Sequence, residues 1–152
     1  PVRAVEMMNR IALQVESKIS FRVFPPVDDS DLTALCRATN QIAKVIGPDG
    51  IVVLTTSGLS ARAVAAERPD APVFALTTHP EVYHALNLCW GVKPILIHDH
   101  PDTFEEMVSM TETNLVARNL AAQDDRIVIV GGIPAHQKGG TNFLNIHRIG
   151  GK

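Results

Sequence analysis

A strand that runs directly into a polar turn and a helix constrains this chain more than any other feature. Ile51, Val52, Val53 and Leu54 form an unbroken apolar run, and three of the four are β-branched. Such a run is typical of a strand that is buried on both faces of a parallel sheet. A hydroxyl-rich turn follows at 55–60, and residues 61–68 have the composition of a short helix. The segment therefore predicts a strand–turn–helix unit at the centre of an α/β domain.

The turn at 55–60 combines two features that attract negative charge. The first-turn N–H groups of a helix have no intrahelical partners, and the helix dipole is positive at that end. The residues that precede and open the predicted helix are Thr55, Thr56, Ser57, Gly58 and Ser60. Hydroxyls beside a helix N-terminus suit a phosphate or carboxylate. A simpler interpretation also stands, in which Ser57 or Ser60 only caps the helix.

The rest of the chain alternates between helical and strand patterns. Cys36 and Cys89 lie within apolar segments and are predicted to be free thiols. The helix at 102–122 is predicted to bury Val116 and Leu120. Predicted helices cover 1–17, 29–46, 61–68, 80–88 and 102–122; strands cover 51–54, 72–77, 93–98, 126–132 and 142–149; 19–29 is an extended linker and 133–140 a loop.

Alternation of this kind predicts an α/β fold with three layers, α/β/α, around a mostly parallel five-stranded sheet. We predict the strand order 3-2-1-4-5, with strand 5 antiparallel because only a short loop separates it from strand 4. Ligands of such sheets bind beyond the carboxyl ends of the strands, where the winding reverses. The turn at 55–60 and the loop at 133–141 would then face one pocket, although they are far apart in the sequence.

Composition excludes several classes of protein. The chain has 152 residues, of which 45% are hydrophobic and 20% charged, with a formal net charge of −2. This length suits one globular core. A nearly balanced, scattered charge argues against nucleic-acid and membrane partners. The chain has no apolar run long enough to span a bilayer and no signal peptide, so a cytoplasmic location is expected.

Four ordered motifs resemble the C-terminal domain of pyruvate kinase. They read TTSGLSAR at 55–62, RPDAPVFALT at 68–77, WGVKP at 90–94 and GGTNFLNIHR at 139–148. The opening PVRAVEMM at 1–8 is similar to the helix that ends the catalytic barrel of that family. The resemblance divides the chain into an N-terminal helix and linker, 1–28, and an α/β domain, 29–152.

The resemblance implies a regulatory role in a glycolytic phosphotransferase. In that family the barrel transfers the phosphoryl group from phosphoenolpyruvate to ADP and holds Mg²⁺ and K⁺, so this chain is expected to have no cofactor and no kinase activity by itself. The C-terminal domain binds a phosphorylated sugar or nucleotide and contributes to the contacts of a homo-oligomer. By position, the hydroxyls and glycine at 55–60 named above hold the effector phosphate. The effector loop corresponds to His136, Lys138, Gly139, Gly140 and Thr141.

Two departures from the family pattern bear on the effector. Many members that respond to a sugar bisphosphate have a basic residue where Thr56 stands, and a Trp and an Arg near the start of the long helix. Neither Trp nor Arg occurs at 100–107. A monophosphate effector is therefore expected, although Lys138 and His136 are alternative partners for a second phosphate.

Two other functions remain open at this point. One is a free-standing enzyme that acts on a small phosphorylated or carboxylated substrate, with His136 as the candidate acid–base group. The other is a structural assembly module without a ligand. His98, Asp99, His100 and Asp102 have a spacing compatible with metal ligands, but polar residues gather routinely at strand ends, and no metal site is predicted.

Overall fold

The computed structural model describes residues 2–16, 18, 30–133 and 140–151, and within these ranges helices and strands alternate as the sequence predicts. The elements are α1 (Val2–Glu16), α2 (Asp31–Ile46), β1 (Gly50–Leu54), α3 (Leu59–Ala66), β2 (Val73–Thr77), α4 (Pro80–Leu86), β3 (Val92–Leu96), α5 (Phe104–Ala117), β4 (Arg126–Gly131) and β5 (Phe143–Arg148).

The strands form one sheet in the order β3-β2-β1-β4-β5. The central strand β1 is parallel to both of its neighbours, with Ile51 in register with Val73 of β2 and Val128 of β4. The edge strand β5 is antiparallel to β4. The predicted order and the antiparallel edge are confirmed, and the carboxyl ends of β1 and β4 lie side by side.

The core has two halves, one on each face of the sheet. Ile51 and Val53 point to the half that contains α2, α3 and α4, whereas Val52 and Leu54 point to the half covered by α5. Ile51, Val52 and Val53 have no exposed surface. The prediction of a strand buried on both faces is therefore confirmed, as is the three-layer architecture.

Helix α5 is shorter than the predicted 102–122. It begins after a capping box in which Thr103 Oγ1 accepts from the N–H of Glu106 and the Glu106 carboxylate accepts from the N–H of Thr103. It ends at Ala117, because Asn119 adopts a left-handed conformation with φ 55°. Leu120 still packs against the core, but from beyond the helix. The prediction that Val116 is buried is wrong, since 48% of its surface is exposed.

Helix α1 forms as predicted but contributes nothing to either half of the core. None of its residues is buried. The predicted linker at 19–29 lies outside the described residues, and the boundary between 1–28 and 29–152 stays a prediction. No helix in the described part of the chain has the length and apolarity needed to cross a membrane.

Both cysteines are free thiols, as predicted. Cys36 lies in the core on α2, where burial, together with the nearby negative charge of Glu67, raises the pKa of its thiol to about 11. A thiol of this kind is protonated at neutral pH and therefore a poor nucleophile. Cys36 is a packing residue.

Candidate functional site

The turn at 55–60 is held by a hydrogen bond from its own first residue. Thr55 Oγ1 accepts from the backbone N–H of Gly58 at 2.9 Å. Gly58 is the N-cap of α3 and has φ +79°. Residues other than glycine rarely adopt this backbone conformation. A Cβ atom at this position would also lie 3.2 Å from Cγ1 of Val82 on α4. Gly58 therefore shapes the turn.

The structure resolves which residue begins the helix. α3 starts at Leu59, two residues before the predicted start, and Gly58 makes no side-chain capping bond. Ser57 Oγ lies 3.4 Å from the N–H of Leu59, a long contact. Ser60 is inside the first turn of the helix, and its hydroxyl has another partner. Simple capping by Ser60 is therefore wrong, and capping by Ser57 is weak.

The first-turn amides of α3 point to the same end of the sheet as these hydroxyls. No described residue accepts a hydrogen bond from the N–H of Ser60 or Ala61. N–H groups at this position have no carbonyl one turn earlier within the helix. They are donors for whatever occupies the space beyond the turn.

The hydroxyl of Ser60 meets the chain again at Thr141. Ser60 Oγ and Thr141 Oγ1 lie 2.6 Å apart in a buried hydrogen bond between residues 81 positions apart in the sequence. This bond joins the N-terminus of α3 to the segment that enters β5. The predicted meeting of the 55–60 turn and the 133–141 loop is thus observed at their described residues.

The two ends of the 133–140 loop are also tied to each other. The side chain of Asn142 accepts from the N–H of Ile133 at 3.1 Å and donates to its carbonyl oxygen at 2.7 Å. Gly132 lies against the backbone carbonyl of Gly140 so closely that any Cβ atom would collide with it. The loop therefore leaves and re-enters the sheet at one point beside α3.

A cavity of about 40 Å³ lies between the turn and this loop. A single water needs roughly 10–15 Å³ of such volume, so the cavity is larger than a single-water site. Of its walls, Thr55, Ser60 and Thr141 are buried, Thr56 is half-buried and Ser57 is exposed. Its lining comprises Leu32, Leu54, Thr55, Thr56, Ser57, Leu59, Ser60, His100, Gly132, Gly140 and Thr141.

Most predicted site residues that the structure describes line this cavity. Gly58 instead makes the turn, and His136, Lys138 and Gly139 lie outside the described residues. Five lining residues were not predicted as part of the site, and three of these, Leu54, Leu59 and Gly132, lie next to or within the predicted turn and loop. The other two are Leu32 from α2 and His100 from the segment that follows β3. No local pattern marks them, because only the packing of α2 and the return of the chain after β3 bring them here.

The described residues around the cavity include no group of side chains suited to a metal ion. Among the residues that the structure describes, no group of three His, Cys, Asp or Glu side chains is arranged to hold an ion. The carboxylate of Glu106 is used in the cap of α5, and Asp125 accepts from the N–H of Ala122 within a turn. These acidic residues have local structural roles.

The side chain of Trp90 does not pack into the core. It is 46% exposed, and the guanidinium of Arg68 lies 4.0 Å from the centre of its ring. Arg68 has φ 52°, which turns the chain between α3 and β2. The contact is a cation–π pair at the amino end of the sheet, away from the cavity.

Comparison with known proteins matches most of the chain to one family. A family model described as "Pyruvate kinase, alpha/beta domain" matches residues 33–147. A pyruvate kinase of Agrobacterium vitis is 34% identical over 154 residues, which span 98% of this chain and 32% of that protein. A pyruvate kinase of Methylorubrum extorquens is 35% identical over 153 residues, 96% of this chain and 31% of the relative.

A third relative, a pyruvate kinase of Lactobacillus delbrueckii subsp. bulgaricus, is 30% identical over 157 residues, 99% of this chain and 26% of that protein. The chain spans about a third or less of the length of these curated relatives. The family match covers all of the sheet except the last residue of β5, and it includes both the turn and the loop beside the cavity. The chain belongs to the pyruvate kinase family and contains its C-terminal α/β domain.

Proposed function

We propose that this chain is the regulatory, effector-binding and oligomerisation domain of a pyruvate kinase, and that the cavity beside α3 binds the phosphate of a phosphorylated sugar or nucleotide. The proposal is carried by one observation, the buried bond between Ser60 and Thr141 that brings two remote segments around the cavity. A turn that only connects β1 to α3 does not require a buried hydrogen bond to the segment that enters β5.

The donors around the cavity favour an anion. The hydroxyls of Thr56 and Ser57 and the first-turn amides of α3 supply neutral hydrogen-bond donors at the positive end of a helix dipole. No carboxylate is among the described lining residues. A phosphoryl group therefore meets donors and no opposing negative charge.

The size of the cavity supports a small anchor group. A volume of about 40 Å³ exceeds that of a single-water site and is compatible with a small anchor group such as a phosphoryl group. The remainder of the effector would lie outside the cavity, and the family resemblance assigns its contacts to His136, Lys138 and Gly139. One cavity of this size favours a monophosphate, or one phosphate of a larger effector.

The exposed apolar side chains of α1 support a contact between this helix and the rest of the parent protein. Its apolar side chains are exposed, among them Val5 at 61%, Met8 at 61% and Ile11 at 54%. An apolar helix face of this kind is stabilised by burial against another element. We propose the catalytic barrel as that element, since the relatives are about three times longer than this chain.

The proposed homo-oligomer would form through β5, which lies at one edge of the sheet. β5 ends the strand order and has a neighbour only in β4 within the described part of the chain. An open edge strand can pair with another chain. The intact enzyme would then transfer a phosphoryl group from phosphoenolpyruvate to ADP with Mg²⁺ and K⁺ in its barrel, and this chain by itself would not.

Calorimetric titration of the chain with sugar monophosphates and nucleotides tests the proposal. We expect saturable binding that weakens about tenfold in Ser57→Ala, because a hydroxyl donor to the phosphate is lost. Ser109→Ala, an exposed serine on α5 away from the cavity, is the matched control. A folded chain that binds none of these compounds favours a structural module instead. Turnover of a phosphate ester that His136→Ala abolishes favours the free-standing enzyme.

A further inference from the structure

The hydrogen-bond ladder between β4 and β5 continues past its last backbone pair through a side chain. Gly131 and Phe143 are the last residues in register, and the N–H of Asn142 donates to the carbonyl oxygen of Gly131 at 2.9 Å. The carboxamide of Asn142 accepts from the N–H of Ile133 at 3.1 Å and donates to its carbonyl oxygen at 2.7 Å. Residues of an antiparallel pair exchange two bonds in this way, so the side chain acts as a backbone partner for Ile133.

We propose that Asn142 is a positioning residue for the phosphate cavity, because its carboxamide fixes the backbone at the described ends of the 133–140 loop and thereby holds Thr141 against Ser60. This inference rests on the proposed function of the cavity as an effector phosphate site. It goes beyond that function by naming a residue that sets the affinity of the site from outside it. Asn142 is not among the described residues that line the cavity.

Asn142 is attached to β4 at two points, its backbone N–H and its side chain. The N–H belongs to the peptide group that joins Thr141 to Asn142, so its bond to Gly131 holds that peptide. The bonds of the carboxamide to Ile133 fix the rotation of the side chain. Thr141 is buried and Asn142 is exposed, so the two consecutive side chains point to different sides of the chain. A fixed Asn142 therefore presents the hydroxyl of Thr141 to the interior.

The contact between Gly132 and Gly140 makes the cavity sensitive to the position of these loop ends. The backbone carbonyl of Gly140 lies so close to Gly132 that a Cβ atom there would collide with it. Both glycines and Thr141 line the cavity. Ile133 follows Gly132 directly and is the residue that the carboxamide of Asn142 holds. A displacement of Ile133 is therefore passed to the wall of the cavity through its bonded neighbour.

The bonds of the carboxamide matter more for the site than for the stability of the domain. Asn142 is exposed and Ile133 is half-buried. Water competes for the hydrogen bonds of exposed groups, so their net contribution to folding is small. A loop end that is not held in the free protein must be ordered when the ligand binds, and this cost weakens binding. We therefore expect the loss of the carboxamide to appear in the Kd.

Calorimetric titration of the 152-residue chain with glucose 6-phosphate measures the effect. Asn142→Ala removes the bonds to Ile133, and its Kd should be about tenfold higher than that of the unaltered chain because the loop ends must be ordered on binding. Asn145→Ala is the matched control, since Asn145 lies on β5 and is absent from the described lining of the cavity. It should bind with the Kd of the unaltered chain.

Amide hydrogen exchange separates local positioning from a general loss of stability. The N–H of Ile133 donates to the side chain of Asn142, so it should exchange at least about tenfold faster in Asn142→Ala. Val52 and Val53 lie in β1 and have no exposed surface. Their N–H groups should exchange at the same rate in both chains, because they open only when the core opens.

A further variant shows whether Asn142 acts through Thr141. Thr141→Val keeps the shape of the side chain but removes the hydroxyl that meets Ser60. If Asn142 acts by holding that hydroxyl, Asn142→Ala should raise the Kd much less in the Thr141→Val background than in the unaltered chain. The same increase in both backgrounds would overturn the route through Thr141.

The outcomes distinguish this inference from the proposed function. An unchanged Kd in Asn142→Ala, or exchange at Val52 and Val53 that accelerates as much as exchange at Ile133, overturns the positioning role and leaves the phosphate site intact. An Asn142→Ala chain that does not fold also overturns that role, because the carboxamide then serves the whole domain. Failure of the unaltered chain to bind glucose 6-phosphate or other sugar monophosphates overturns the site itself, and the inference with it.

Discussion

Ser60 and Thr141 share a buried hydrogen bond of 2.6 Å, although 81 positions separate them in the sequence. One hydroxyl belongs to the first turn of α3 and the other to the residue pair that leads into β5. The bond therefore reports directly on whether the two walls of the cavity are assembled. It is also the contact whose energetic value is easiest to isolate.

A double-mutant cycle measures that value. Ser60→Ala or Thr141→Val alone leaves the other hydroxyl buried without a partner, which should lower the free energy of unfolding by about 1–3 kcal/mol. The double variant should lose less than the sum of the two, because no unpaired group remains. Urea unfolding of the four chains gives the coupling energy. Simple additivity of the two losses would contradict a direct bond.

A comparison of Gly58 with Gly47 separates backbone strain from crowding by neighbouring side chains. Both have positive φ, +79° and +54°, but only at Gly58 would a Cβ atom contact neighbours, Val82 and Leu86. Gly47→Ala should cost about 1–2 kcal/mol from backbone strain alone. Gly58→Ala should cost more, because crowding against α4 adds to the strain. Equal losses in urea unfolding would show that the contact with α4 is unimportant.

Gly132 tests the closure of the loop. A Cβ atom there would collide with the backbone carbonyl of Gly140, which cannot rotate away as a side chain could. Gly132→Ala should therefore displace the 133–140 loop and weaken binding of a sugar monophosphate by at least about tenfold. Binding is measured by calorimetry, with Gly47→Ala as a control that alters a glycine far from the cavity. Unchanged affinity in a folded Gly132→Ala chain would mean that the loop is not a wall of the site.

Glu112 gives the fold a defined response to acid. A hydrogen bond from Nε2 of His147 at 2.8 Å, and a second from the N–H of Gly150 at 2.7 Å, lower the pKa of this carboxyl from its ordinary value of 4.5. A carboxyl with a lower pKa in the folded state stabilises the fold above its unfolded pKa, and this contribution is lost as the pH falls through the folded value.

The corresponding measurement is urea unfolding between about pH 6 and 3. Glu112→Gln should flatten the loss of stability below pH 4.5, since the titrating group is gone. Glu105→Gln, an exposed glutamate on the same helix, should leave the pH profile unchanged. If both variants keep the profile of the unaltered chain, the interaction of Glu112 with His147 and Gly150 does not stabilise the fold.

Much of the fold could be predicted because its signals are local. The apolar run from Ile51 to Leu54 identifies the central strand, since a strand covered on both faces has no polar side. The strand order follows from the reversal of winding and the short loop before the last strand. The end of α5 could not be predicted in the same way. It depends on the left-handed conformation of Asn119, which the residue type alone does not determine.

The lining of the cavity was predictable where it comes from the turn and not where it depends on packing. The hydroxyls at 55–60 follow a strand directly, so their position is set by the sequence of the segment itself. His100 reaches the cavity only because the chain after β3 returns across the carboxyl end of the sheet. Its neighbours in sequence, His98 and Asp99, have a spacing compatible with metal ligands, but His98 is not among the described residues that line the cavity.

The most direct measurement of the central claim is a titration of the isotope-labelled chain with glucose 6-phosphate, followed through its backbone amide resonances. Binding in the cavity predicts that the N–H signals of Ser60, Ala61 and Thr141 shift together and saturate at one ligand per chain, and that glucose has no effect. Saturable shifts confined to another face of the domain, or none at these three residues, would contradict a phosphate site between the turn and the loop.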